Sequence, residues 1–335
     1  MSHGLLTLKR GMQSHGSRFV RDMERLGATD AWDFVNQSYL RAGRVTAPGI
    51  TFTRASVGSY LNNNNTMTVF SSDQPRIGDK GFLIEGSRQN LFLNSAVGAT
   101  QSITVTAAAH TLSFFGTGTV TLSGVSTAGP LVGTGEFNRV SLTFTPTAGS
   151  LTLTVSGDIK WVNLELGSFP TSWIPSDGTA VTRAADFATA VPTTQAYPIF
   201  GFAEYVLDVA SGEQGIFSWD DGTSPNIGAY IHTSGGNALV YGDNGASQFG
   251  VTNSGVTAGV VYKHAFRAAT NDARAARNGT LTLQDSIVVA PTGLDNLSIG
   301  RRYWSLSTNH TFGYLRQIAL GAGTLTNAQL QEITT

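Results

Sequence analysis

The chain has 335 residues, no cysteine and a formal net charge of −1. That excludes a disulfide framework, a thiolate metal site and a cysteine nucleophile, and gives no reason to expect a polyanion as the main partner. Charged residues make up 13% of the chain, against roughly 25% in an average soluble domain.

Glycine numbers 39, and Thr, Ser and Val are abundant, as expected of a β-rich chain kept soluble by hydroxyls and turns. No apolar run approaches the ~20 residues of a membrane span. The opening MSHGLLTLKRG lacks a signal-peptide core, so synthesis in the cytoplasm without membrane insertion is expected.

Residues 1–48 read as a helical head with seven basic and four acidic side chains. Phe19, Val20, Met23 and Leu26 recur at helical spacing before a stop at Gly27. A second helix is predicted from a Thr29/Asp30 cap to about Gly43, with Trp32, Phe34, Val35 and Tyr39 as its apolar side chains. Helices this short are marginal alone. They must dock, either on the chain's own body or on another protein; Phe19, Met23, Leu26, Trp32, Phe34 and Tyr39 are the candidate docking residues.

From Ile50 the pattern becomes short strands: TFTRAS, TMTVF, GFLIE and NLFLN, separated by turn-rich links. Between about Ser95 and Ser168, segments such as SITVTA, HTLSFFG and SLTLTVSG alternate apolar and hydroxyl side chains, as in a small antiparallel sandwich. From about Tyr197 the strands carry larger and more aromatic residues. The chain ends in LTNAQLQEITT, where Thr326 can cap a helical turn over Asn327–Glu332.

Thr-Arg-Ala occurs twice, in ITFTRAS (Ile50–Ser56) and in GTAVTRAAD ending at Asp186. The spacing is too long for a solenoid repeat. It leaves duplicated beads, or one domain opened by an insertion; a closed module whose ends meet can enter a loop at little cost. The insertion reading divides the chain into 1–48 (helical anchor), 49–93 (first part of a larger sandwich), 94–178 (inserted small sandwich) and 179–335 (remainder of the larger sandwich).

ITFTRAS followed by QPRIGDKGFLIEGSRQNLFLNS resembles the opening of many bacteriophage and prophage structural proteins. There a TFTRAS-type strand precedes an EPRF-like turn and an LLIE-x-x-R-x-N-L-L-x-x-S segment. GSFPTSWIPSDGTAVTRAAD looks like their closing signature, where a sandwich similar to a carbohydrate-binding module ends. The stretch from SIGRRYW to the C-terminus resembles the last strands of a concanavalin A-like jelly roll.

The resemblance implies a mainly β fold of antiparallel sandwiches and a virion location. It points to a tail or head fibre or spike subunit (or one from a gene transfer agent) that contacts other virion proteins through its N-terminus. Such a subunit would bind host-surface polysaccharide as a homo-oligomer, trimer or dimer, without nucleic acid. Two rivals stay open: a capsule depolymerase or glycosidase on the same fold, and a purely structural decoration protein.

A sugar site needs an aromatic face and a few fixed polar groups. The candidates are Trp219, Asp220, Asp221 and Asn226 in WDDGTSPN, then Tyr230, His232, Tyr241, Asp243 and Asn244, then Arg302, Tyr303 and Trp304. Trp219 and Trp304 can equally close the core. Trp161, within a strand, reads as core, and Trp173 as a pin between sandwiches.

No cofactor is expected. Calcium was weighed for WDDG and YGDNG, but Asp-Gly and Asn-Gly are also ordinary turn chemistry. Glu204 and Asp208 have the i, i+4 spacing that sets two carboxylates on one strand face; no third acid joins them and Val206 shares that face. The six histidines form no triad or metal pattern, so no catalytic residue is assigned. Arg267, ARAARN and Arg301–Arg302 make the last region locally basic, which suits an acidic polysaccharide or a solvated surface.

Overall fold

Alternating side chains favour strands with one face in a core and one in water, and such strands account for most of the chain. A computed structural model describes residues 16–223, 226–234, 237–244, 247–286, 293–302 and 309–335.

The larger sandwich packs a ten-stranded sheet against a seven-stranded one. The first is centred on Ile199–Leu207, Gly313–Ala322 and Ala28–Asp33; the second runs from Ser247–Ser254 through Gln214–Asp220 and Phe187–Ala190 to Thr51–Thr53. Between them lies a core that includes Trp32, Phe34, Phe82, Tyr205, Phe217, Trp219 and Phe266.

The smaller sandwich has its own core, built from Phe92, Leu112, Phe114, Val120, Leu151, Leu153 and Leu164 among others. One of its sheets pairs His110–Gly116 with Gly135–Phe144 and Ile159–Leu166, and the other holds Gln101–Val105, Gly149–Ser156 and Thr119–Gly124. The mainly antiparallel β fold expected from composition and alternation is therefore what the chain adopts.

The repeated Thr-Arg-Ala finds its explanation in the pairing. Arg88–Asn90 and Val181–Arg183 lie side by side, Val181 opposite Asn90 and Arg183 opposite Arg88, so the chain leaves for the small sandwich and returns from it on adjacent antiparallel strands. Thr51–Thr53 pairs with Phe187–Ala190, Phe187 opposite Thr53. Segments on either side of the small sandwich thus share one sheet.

The two Thr-Arg-Ala arginines meet in a buried ionic cluster. Arg54, Arg76, Arg183 and Asp186 are at most 1% exposed and Glu85 is 2% exposed. Arg54 Nη1 lies 3.2 Å from Asp186 Oδ1, Arg76 Nη2 2.5 Å from Asp186 Oδ2, and Arg76 Nη1 2.7 Å from Glu85 Oε2. Arg183 Nη2 reaches Glu85 Oε2 at 3.5 Å and donates to Gly86 O at 2.7 Å.

Ser172 donates to Glu85 through both its N–H and its hydroxyl, and the Glu85 N–H donates to Asp186; the Nε atoms of Arg76 and Arg183 stay buried without a partner. Burial alone would raise the Glu85 carboxyl, but the guanidinium groups of Arg183 and Arg76, with the Ser172 hydrogen bonds, bring it down to about 2. At Gly58 a Cβ would meet Arg54 Cζ at 2.9 Å and Arg76 Cδ at 3.1 Å, so only glycine leaves room for the two guanidiniums.

The head differs from its prediction. Arg18–Arg25 is the expected helix, capped by Ser17 and ending at Gly27, which has φ +94°. The predicted second helix is instead a hairpin, Ala28–Asp33 against Ser38–Arg41, with Trp32 opposite Tyr39. The first of these strands also pairs with Gly313–Ala322, so tertiary pairing inside the large sheet outweighs local helical periodicity. Asp33 supports the turn by accepting from the N–H and side-chain amide of Asn36.

The docking residues are corrected with it. Trp32, Phe34 and Tyr39 belong to the main core. Met23, with Phe19 and Leu26 packed beside it, joins a second core that the first helix and the C-terminal helix Asn327–Thr334 form against Phe200, Phe202 and Ala319. Trp32, Phe34 and Tyr39 are thus taken up by the chain's own body, whereas Phe19 and Leu26 stay half-buried beside a surface groove.

Removing one member of a buried ionic cluster strands its partners uncompensated. Arg76→Ala is expected to destabilise the protein by about 3–5 kcal/mol, whereas Arg18→Ala, which breaks only an exposed helix pair with Asp22, should cost less than about 1 kcal/mol. Urea unfolding midpoints of the two variants check this.

Candidate inter-sandwich cleft

Where the two sandwiches meet they leave a cleft of about 560 Å³. The small sandwich contributes Phe115, Phe137, Asn138 and Arg139, and the link after it contributes Pro170, Ser172 and Trp173. The larger one contributes Ser59, Leu61, Met67, Lys80, Leu83, Glu85, Asp208 and Tyr314. The ionic cluster forms the floor: Glu85 lines the cleft, and Ser172 bridges it to the link. Ser59 Oγ donates to Trp173 O, and the Trp173 Nε1–H donates to Ser95 Oγ at 3.0 Å. Trp173 therefore touches both sandwiches.

An aromatic group forms the wall on the small-sandwich side. Trp161 lies 5.4 Å from Phe115, 6.4 Å from Phe137 and 6.5 Å from Trp173 between ring centroids. Its backbone has φ +51°, a left-handed conformation unfavourable for a bulky side chain. It lies at a register slip between Ile159–Leu166 and His110–Gly116. Lys160 Nζ sits 4.2 Å from the Phe137 centroid and 4.5 Å from that of Trp161, and Phe137 keeps 39% of its surface exposed. Across the cleft Tyr314 packs edge-on against Tyr60 at 5.9 Å.

Four charged side chains line this space. Glu85 is engaged by Arg76, Arg183 and Ser172. Arg139 donates through Nη2 to Ser113 Oγ at 2.8 Å and to Thr171 O, and burial lowers its pKa. Lys80 lies 5.9 Å from the Tyr314 ring centroid; burial lowers its pKa too, opposed by Asp79 and Asp208. Asp208 stands at the mouth, open to water. Recession among cleft atoms, then the charge of Glu85, push its carboxyl up to about 7, a shift that its contact with solvent tempers.

The sugar-site candidates read from the sequence lie elsewhere, and most are closed. Trp219 is 0% exposed in the main core and donates to Leu294 O, which corrects its reading as a platform. Asp220, also buried, accepts from Ser218, Asn296 and the Gly222 N–H. Burial pushes that carboxyl up to about 6. Asp221 accepts from the N–H and hydroxyl of Thr223.

Tyr230 is fully buried, stacked on His232 at 4.4 Å, with the Arg302 guanidinium 5.4 Å from its ring centroid and Glu213 at its hydroxyl. Of these candidates Tyr230, His232 and Arg302 are brought together, and the Tyr230 ring is closed to a sugar. Asp243 is half-buried in Asn237–Asn244. Asn226 and Tyr241 occupy strand positions. Tyr303 and Trp304 lie outside the described residues.

Glu204 and Asp208 are also separated. The strand Ile199–Leu207 ends before Asp208, which lies in the bend that follows. Glu204 binds Arg316 Nε at 2.5 Å and lines a different groove with Phe19 and Lys263. Of the basic residues, Arg267 is clamped by Asp272, and Arg274 and Arg277 donate to the Thr282 and Ser254 carbonyls.

Sequence reading missed Phe115, Phe137, Arg139, Lys80 and Tyr314 because the cleft arises between two modules. The one local signal was GEFNRV, a strand start with an aromatic between polar residues.

No protein-family model and no curated protein matches the chain. Among solved structures, it is similar to the CBM40 of a Ruminococcus gnavus IT-sialidase bound to α2,3-sialyllactose, at 17% identity and a TM-score of 0.36. That likeness covers 42% of this chain and 83% of the other. It is also similar to domain 4 of a Geobacillus stearothermophilus GH43 extracellular arabinanase in complex with arabinotriose, at 12% identity and a TM-score of 0.37, over 45% and 73% of the two chains. The binding domain of botulinum neurotoxin serotype G matches at 9% and 0.36, over 44% and 40%. Each likeness covers less than half of this chain at a score too low to bear on what it binds.

Asp208 yields a pH signature. A carboxyl raised when folded holds its proton where the unfolded chain has released it, so its contribution to stability falls as pH rises from about 4 to about 7. Asp208→Asn should remove this component: the urea-midpoint difference between variant and wild type is expected to grow in the variant's favour across that window.

Proposed function

We propose that the chain is a non-catalytic glycan-binding subunit and that the inter-sandwich cleft is its sugar site. One observation carries this reading: a cleft of oligosaccharide dimensions joins a half-exposed aromatic, Phe137, to polar groups on both walls, Asn138, Arg139, Lys80 and Asp208. A sugar needs a flat apolar face for its ring and a few fixed polar groups for its hydroxyls.

The finer assignment, a fibre or spike subunit on a phage-type particle that contacts host-surface polysaccharide, draws on the resemblance of Ile50–Ser56, Gln74–Ser95 and Gly167–Asp186 to such proteins. Several copies on one particle would make weak single sites sufficient, since linked sites gain 10²–10⁴ in avidity.

A hydrolytic reading draws on Glu85 and Asp208, two carboxyls in one cleft pushed in opposite directions, a pattern typical of acid–base pairs. Against it, both Glu85 oxygens accept hydrogen bonds from Arg76 or Ser172, which leaves the carboxylate no free edge to attack a sugar carbon.

Phe137→Ala is expected to weaken binding to a responsive polysaccharide at least tenfold while leaving thermal stability within a few degrees. Polysaccharide incubated with wild type should keep its length by size-exclusion chromatography. Shortening that Asp208→Asn abolishes would favour the hydrolytic reading. Immunogold labelling of particles tests the virion assignment.

A further inference from the structure

The cleft's charges identify the class of sugar, an inference that rests on the glycan-binding reading above. Among the described residues, Lys80 and Arg139 have no carboxylate within 4.0 Å, although both line the cleft. The Nε of Arg139 is buried without a hydrogen-bond partner, and only Nη2 is engaged. No hydrogen bond of its Nη1 is found among the described residues, and a guanidinium in a cleft with donor capacity left over suits an oxyanion.

Glu85 makes no ion pair within 4.0 Å with either cation and is held instead by Arg76, Arg183 and Ser172. Asp208 is the only other carboxylate in the lining. With Glu85 neutralised in the ionic cluster, Lys80 and Arg139 outnumber the one remaining carboxylate of the lining, Asp208, which suits an anionic sugar group. The exposed ring of Phe137 adjoins Arg139 in sequence and lines the same space, so ring and charge can be read together.

We propose that the cleft selects an acidic glycan, one whose sugars carry a carboxylate, with Arg139 and Lys80 receiving that group while the sugar ring rests on Phe137.

The test is isothermal titration of the full chain against polygalacturonate, alginate, hyaluronan and polysialate fragments, each beside its carboxyl-reduced, neutral counterpart. At least one acidic fragment is expected to bind tenfold or more tightly than its neutral form, which also identifies uronate or sialate as the source of the carboxylate. Lys80→Gln should remove most of that difference, lowering the acidic affinity far more than the neutral one. Arg139→Gln should do the same, with a melting curve as a check on folding.

Equal affinity for acidic and neutral forms, with Phe137→Ala weakening both, would overturn the acidic selection and leave the glycan-binding reading standing. Equally strong competition by dextran sulfate would overturn the preference for carboxylate. If no fragment of either kind binds, or if binding is indifferent to Phe137→Ala, the cleft reading fails and this inference fails with it.

Discussion

The rest of the structure depends on five ionic side chains withheld from water: Arg54, Arg76, Glu85, Arg183 and Asp186. They come from segments on both sides of the small sandwich, so the cluster forms only when the chain has left, folded a second module and returned. Charges this deeply buried are tolerated because nearly every donor and acceptor is matched. Their value lies as much in fixing one arrangement as in net stability. A hydrophobic cluster would tolerate a shifted strand, whereas Asp186 must stand between Arg54 and Arg76 and receive the Glu85 N–H.

The same cluster sets the cleft. Glu85 reaches one way into the ionic floor and the other way to Ser172, and Ser172 precedes Trp173, whose ring abuts the aromatic group of the small sandwich. Structural and recognition residues are therefore continuous. The cleft has one wall from each sandwich, and its floor is the buried ionic cluster.

Much of the fold could be read in the sequence because alternation and turn residues are local signals. They marked the strands, the first helix and the capped C-terminal helix. The hairpin at Ala28–Arg41 was misread because its apolar spacing also fits a helix, and only the partner strand Gly313–Ala322, nearly three hundred residues away, decides between them. The site was hardly legible. Aromatic loops pointed to Trp219 and Tyr230, yet both side chains are sealed from solvent. Glu204 and Asp208 share no face because the strand ends at Leu207, a boundary that the i, i+4 spacing does not encode. Phe137 and Lys80 lie far apart in the chain and become neighbours of one space only through the docking of two modules.

The side-by-side strands Arg88–Asn90 and Val181–Arg183 have a consequence for how such chains diversify. The small sandwich is joined to the rest by two passages about one strand spacing apart, ~4.8 Å. A module with adjacent ends fits this socket if it pairs with these two strands and supplies the Ser172-type donors to Glu85; the five ionic residues lie outside it. Replacing the module would exchange Phe115, Phe137 and Arg139 while leaving Lys80, Asp208 and Tyr314 in place. Half of the recognition surface is thus a replaceable cartridge and half is a constant mount, so specificity can be rewritten by recombination without refolding the framework.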